Sequence, residues 1–136
     1  MKLFGIGYQG RSVANLCQAL VDVDVDLLID VRARAWSNRP EYRKTRLAGA
    51  LAANGIEYLH IGEAGNPFRP RPGENLDPVE CLARYSEYLR LNPRIISTIR
   101  AAAKTRCTAL LCYEAESDAC HRGAILAALE CRNSDL

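Results

Sequence analysis

No apolar run in these 136 residues approaches the ~18 that cross a bilayer as a helix, so no membrane-spanning helix is expected. The opening MKLFGIGYQG has neither an apolar signal core nor a small-residue cleavage site, which places the expected location in the cytoplasm. The six cysteines (17, 81, 107, 112, 120 and 131) lack regular spacing, so no disulfide framework is expected and they read as reduced thiols. Neither Cys112 nor Cys120 is followed six residues later by Arg, which removes the spacing of cysteine phosphatases. Cys120 and His121 are adjacent and would point ~100° apart on a helix, a poor start for a tetrahedral zinc site, so no metal is expected. Internal repeats and low-complexity tracts are absent. Lysine is scarce as well: of 18 basic residues only 3 are Lys and 15 are Arg, in a chain of net charge +2. So small an excess does not announce a nucleic-acid binder, but guanidinium forks suit carboxylate and phosphate.

What is present is the make-up of one globular domain over residues 1–136, with 49% hydrophobic and 25% charged residues. KLFGIG (2–7), DLLIDVR (26–32), IEYLHI (56–61) and CTALLCY (107–113) read as buried strands. Between them, Ser12 can cap a helix carrying Val13, Leu16, Cys17, Leu20 and Val21. A second helix is predicted around 45–54, closed by Gly55. An amphipathic helix with Val79, Leu82, Tyr85 and Leu89 and a further piece from Pro93 to Ala103 follow, and residues 119–131 form the last. The order β-α-β-α-β-α-α-β-α predicts an α/β fold: a single three-layer domain with a mainly parallel sheet of about four strands flanked by helices. Residues 62–78, GEAGNPFRPRPGENLDP, read as one long loop.

Each polar cluster follows the carboxyl end of a strand: Gly7, Tyr8, Gly10, Arg11 and Ser12 after the first, Asp30, Arg32 and Arg34 at the second, His60 to Glu63 at the third, and Cys112, Glu114, Cys120, His121 and Arg122 after the fourth. Parallel strands share that edge, where open α/β folds bind ligands. Basic residues also crowd predicted helix starts, where cations are disfavoured by ~0.3–1 kcal/mol. Arg11 precedes the Ser12 cap, Arg43, Lys44 and Arg46 flank the second helix, and Arg122 falls in the first turn of a last helix capped by Ser117 or Asp118. An anion would compensate them; ion pairs with Glu41, Glu63, Glu114, Glu116 or Asp118 are the alternative. In that first turn Cys120 is a candidate nucleophile beside His121, or an inert half-buried thiol. Asp30, between Ile29 and Val31, is either a bridge to Arg32 or Arg34 or a functional acid, and His60 is a hydrogen-bonded rim residue or a base. Trp36 and Tyr42 among Arg34, Arg39 and Arg43 could stack a base or pin a loop. Gly5, Gly7 and Gly10 spell G-x-G-x-x-G, but Gly5 falls inside the strand and not in the turn after it, so no dehydrogenase is expected.

IGYQGRS, DVRARAWSNRPEY, YLHIGEAGNP and LLCYEAESDACHR, in this order, resemble the domain of unknown function 488 family across nearly the whole chain. The resemblance implies functional weight on Gly7, Tyr8, Gly10, Arg11, Ser12, Asp30, Arg32, Arg34, Cys112, Glu114, Cys120, His121 and Arg122, and supplies neither a reaction nor a cofactor. It also implies another strand after the last helix; here the chain stops at CRNSDL, so a sheet edge shortened or completed by a partner is expected. The resulting expectation is an Arg-lined pocket for an anionic small molecule or nucleotide, with Arg11, Arg32 and Arg122 holding the anion and Glu114, His121 or Cys120 moving a proton or attacking, as in a hydrolase or transferase. A nucleic-acid-binding module built on residues 34–46, and an interaction protein whose edge is buried in a homodimer, are the rival readings.

Overall fold

Four short runs pair into one wholly parallel sheet in the spatial order β1-β4-β2-β3: β1 (Lys2–Gly7), β2 (Leu27–Asp30), β3 (Glu57–His60) and β4 (Cys107–Cys112). The computed structural model describes residues 2–68, 73–75, 77–114, 121–130 and 135–136. β2 and β4 lie in the middle of the sheet and are buried almost throughout, which is why their sequences are apolar without alternation. β3, at an edge, alternates between exposed and half-buried residues.

Among the described residues five helices cover the two faces. α1 (Val13–Asp22) and α2 (Lys44–Ala53) pack Leu16, Cys17, Leu20, Leu47 and Leu51 against Ile6, Leu28, Ala109 and Leu111. α3 (Pro78–Leu91), α4 (Pro93–Ala103) and α5 (Arg122–Ala128) pack Tyr85, Leu89, Ile95, Ile99, Ile125 and Leu126 against Leu27, Ile29, Leu110 and Cys112 on the other face. Successive strand residues point to opposite faces, so one apolar strand feeds both cores. The three layers are those the element order predicts.

Local chemistry sets the boundaries. Ser12 accepts the Asn15 N–H at 3.1 Å to start α1, an arrangement worth about 1 kcal/mol. Asp77 caps α3 by accepting from Val79 N–H at 3.0 Å, with Pro78 in the first turn, where its missing donor costs nothing. Pro93 separates α3 from α4, since it cannot donate back into the preceding turn. α3 buries Tyr85 and Leu89 as its spacing implies, with Cys81 completing the stripe, but Val79 is 74% exposed. Two 3₁₀ turns, Pro40–Tyr42 and Gly62–Ala64, interrupt segments that read as loops. The last helix begins at Arg122, with His121 at the capping position and no side-chain cap; Ser117 and Asp118 lie outside the described residues. On the outer edge of β1, Asp135 bridges Gly5 and Leu136 N–H donates to Gly5 O at 2.8 Å, so the chain's own residues pair with part of that edge. Among the described residues no helix is long and apolar enough to cross a membrane.

Candidate functional site

In the order β1-β4-β2-β3 each strand hands the chain to a helix on one face or the other: α1 and α2 follow β1 and β2 on one side, while α5 and α3 follow β4 and β3 on the opposite side. Connections that diverge this way leave a crevice beyond the carboxyl ends of the strands. A cavity of about 240 Å³ lies there, lined by Tyr8, Arg32, Ala33, Arg34, Trp36, Asn66, Tyr113 and His121. All four strand ends contribute. A larger groove of about 590 Å³ among α3, α4 and α5 is walled by Leu89, Pro93, Ile96, Ala124 and Ala127 with Arg90 and Arg100 at its border, and contains none of the strand-end residues.

The cavity is organised around Arg32. Asp30, wholly buried at the end of β2, takes a two-pronged ion pair: Arg32 Nε donates to Oδ1 at 2.9 Å and Nη2 to Oδ2 at 2.7 Å, while the Arg32 backbone N–H reaches Oδ1 at 3.1 Å. Tyr58, on β3, donates its hydroxyl to Oδ2 at 2.6 Å. Burial, and after it the Asp30 charge, push the Tyr58 phenol well above its ordinary range, which keeps it a donor. Burial works against the charged guanidinium of Arg32, but the Asp30 bonds and charge, with a smaller pull from Tyr8, outweigh it and hold Arg32 above its usual value. The Arg32 guanidinium carbon stands 5.3 Å from the centre of the Tyr8 ring, and Tyr8 stacks on Tyr42 at 4.4 Å and meets Tyr113 edge-on at 5.3 Å. Arg32 is 6% exposed, and its Nη1 is buried with no hydrogen-bond partner among the described residues. Asp30 thus positions Arg32 and does not itself line the cavity.

Two backbone approaches shape the walls. A Cβ on Gly65 would fall 2.2 Å from Ala33 Cα, so only glycine lets the segment after β3 close on the segment after β2. Asn66, the next residue, lines the cavity with Arg34; Asn66 Oδ1 accepts from Phe68 N–H at 2.9 Å, which leaves its amide nitrogen as the donor end. His60 Nε2–H donates to Arg32 O at 2.7 Å, making it a rim brace for the same segment. After β1, Arg11 N–H closes a turn on Tyr8 O at 3.1 Å with Gly10 at φ +71°. Arg39 secures that turn, donating to Tyr8 O at 3.2 Å and to Arg11 O at 2.5 Å while lying 4.7 Å over the Tyr42 ring. Gly7 ends β1 beside Cys112, and Ser12 serves as the α1 cap.

The residues after β4 divide. His121 lines the cavity, held by an Nε2–H bond to Val31 O at 2.7 Å and by edge contact with Tyr85 at 5.2 Å. Arg122 is turned to protein acceptors: Nη1 to Glu114 O at 2.5 Å and to Cys112 Sγ, and Nη2 to Asp135 Oδ1 at 3.3 Å. Burial lowers its affinity for a proton, against the pull of Asp135. Arg11 likewise donates to Leu136 O. Arg11, Arg122, Glu114 and Cys112 are therefore outside the cavity lining. Cys112 also corrects an expectation, because it is disulfide-bonded and not a reduced thiol; spacing alone does not show which sulfurs the fold brings together. A disulfide sulfur offers no thiolate for attack. Cys17, Cys81 and Cys107 are free, and burial raises the thiols of Cys17 and Cys107. Cys120, the candidate nucleophile, lies outside the described residues. Among the described residues no three His, Cys, Asp or Glu side chains gather as metal ligands.

Tyr8, Arg32, Arg34 and His121, all expected at the strand ends from the sequence, line this cavity, whereas Tyr58, Gly65, Asn66 and Tyr113 were not singled out for it. Of these, Tyr58 carried the clearest signal, since it sits two residues from His60 on the same face of an edge strand. Comparison with curated proteins gives no match, and comparison with solved structures gives none. A family model matches residues 12–129, so that only β1 and the turn after it precede the match, and the chain belongs to the family described as "Domain of unknown function DUF488".

Proposed function

We propose that the cavity binds a phosphate-bearing small molecule or nucleotide, with Arg32 as its anion anchor. The observation that carries this reading is Arg32, a cavity-lining cation whose buried Nη1 has no hydrogen-bond partner among the described residues, while its other nitrogens are held by Asp30. Leaving such a donor unmatched costs about 1–3 kcal/mol, and more for a charged group. A phosphate oxygen in the cavity would remove that cost through a charge-assisted bond. Arg34, exposed at the rim, supplies a second positive group, and the Asn66 amide a neutral donor. His121 is the lining side chain suited to move a proton for a hydrolase or transferase acting on such a ligand.

The test is calorimetric titration with inorganic phosphate and phosphate esters, alongside thermal shifts. A ligand at ~100 times its Kd adds about 2.7 kcal/mol and raises Tm by several degrees. Arg32→Lys, which retains a cation for Asp30 but loses the fork, and Arg34→Ala should each weaken binding by roughly ten-fold. No shift from any anion, or parental affinity in both variants, refutes the reading.

A nucleic-acid-binding surface is the second reading, favoured by Trp36 at 53% exposure beside exposed Arg34, Lys44 and Arg46. Its basic stretch is partly committed, because Arg39 bonds Tyr8 O and Arg11 O and Arg43 Nε bonds Ser37 O. A steep loss of oligonucleotide affinity with salt would support it.

A further inference from the structure

Trp36 is the only tryptophan in the chain, and it stands 53% exposed on the wall of the cavity that Arg32 also lines. Exposed aromatics gathered on one cavity lining offer a flat ligand a stacking surface. Trp36 is also held in place: the Arg43 guanidinium lies 4.9 Å from the centre of its ring, and Arg43 is itself anchored by its 3.0 Å bond to Ser37 O. The cation therefore backs one face of the indole and fixes its orientation. Tyr113, 41% exposed, lines the same cavity from the end of β4 and is braced edge-on by Tyr8. Two braced, half-open aromatic side chains thus border a space whose inner wall is an anion-seeking guanidinium, with the Asn66 amide donor on the same lining.

We infer that the ligand is a single nucleotide, its base stacked on Trp36 at the Tyr113 side of the cavity and its phosphate on Arg32 and Arg34. This rests on the anion-pocket reading above and narrows it. Phosphate alone would use Arg32 and Arg34 but give no role to the Arg43-backed indole. A base has a flat π-face of the kind such platforms bind, and an edge that a fixed amide donor can meet. Size points the same way: about 240 Å³ lies below the ~300–1,000 Å³ of sites for drug-sized ligands, which suits one nucleotide with its base partly outside and not a dinucleotide. The glycine pattern Gly5, Gly7, Gly10 agrees, since Gly5 lies within β1 and only Tyr8 of the following turn reaches the cavity.

The sole tryptophan makes the test direct. Adenosine and uridine monophosphates, the two nucleosides, ribose 5-phosphate and inorganic phosphate are titrated while Trp36 fluorescence is read, with calorimetry for affinities. At least one nucleoside monophosphate should change the fluorescence on binding and exceed ribose 5-phosphate in affinity by about 5- to 150-fold, the worth of one base–aromatic stack. Trp36→Ala, followed by calorimetry, should erase most of that advantage, while Trp36→Phe keeps part of it. If ribose 5-phosphate and phosphate bind as tightly as the nucleotides, the base site is refuted and the anion pocket stands. If a nucleotide advantage survives Trp36→Ala, the assignment of Trp36 is refuted. If no compound binds, the anion pocket and the base site fall together.

Discussion

Replacing Asp30 with Asn should be among the most damaging single changes in this chain. Asp30 is fully buried and accepts four hydrogen bonds, three from Arg32 at 2.7–3.1 Å and one from Tyr58 at 2.6 Å. Asparagine preserves the volume but removes the charge and turns one acceptor into a donor facing guanidinium or phenol hydrogens. Arg32, 6% exposed, would then be a cation without a counter-charge. Breaking a buried pair from one side costs about 3–5 kcal/mol. In a domain between the small and larger size classes, where each kcal/mol moves Tm by roughly 3–5 °C, that is a drop on the order of 10–20 °C. Urea unfolding and thermal scans would read it. Removing both partners, as in Asp30→Leu with Arg32→Met, should recover most of the loss while abolishing phosphate binding. An Asp30→Asn protein within ~1 kcal/mol of the parent, or a double variant no better than the single, would refute the view that this pair holds the cavity's guanidinium in place.

Gly65→Ala should cost about 1–3 kcal/mol and weaken phosphate binding, because its methyl would sit 2.2 Å from Ala33 Cα in the cavity wall; urea melts and calorimetry check both effects. Gly10→Ala meets nothing within 4 Å, so its cost of about 1–2 kcal/mol should come from φ +71° alone, and Gly10→Asn should recover much of it. Stability should fall as pH rises above about 10: burial lifts the Tyr42 phenol to about 12 and raises Tyr58 and Tyr85 too, so the unfolded chain releases protons that the folded chain keeps. A plot of Tm against pH, with phenolate absorbance from these residues appearing only with unfolding, tests this. Alkylation of the unfolded, unreduced protein should label Cys17, Cys81 and Cys107 and spare Cys112 until a reductant is added; mass spectrometry of the peptides decides.

The fold was largely legible because its signals are local. Continuous apolar runs marked the buried strands, Ser12 and Pro93 marked helix starts, and the alternation of strands with helices implied a parallel sheet with all its polar turns at one edge. Tyr8, Arg32, Arg34 and His121 could be named from that reasoning alone, since sharing an edge follows from strand direction. Whether Asp30 would brace Arg32 or act as an acid could not, because the answer depends on Tyr58, 28 residues away and brought beside it only by β2–β3 pairing. The edge of the α3 stripe was not legible for the same reason. Tyr85 and Leu89 are buried as their helical spacing implies, together with Cys81, but Leu82 is half-buried and Val79, in the first turn, is left exposed.

By itself, then, the order of residues determined the elements, their sequence along the chain and the end of the sheet where polar groups collect, since hydrophobic period, caps and strand direction are properties of neighbours. Only the tertiary structure decided which arginine keeps a buried donor without a partner among the described residues. Arg11, Arg39, Arg43 and Arg122 each reach a protein carbonyl, while Arg32 lines the cavity with a buried Nη1 that has no partner among the described residues, and that difference is set by contacts between segments that chain spacing does not encode.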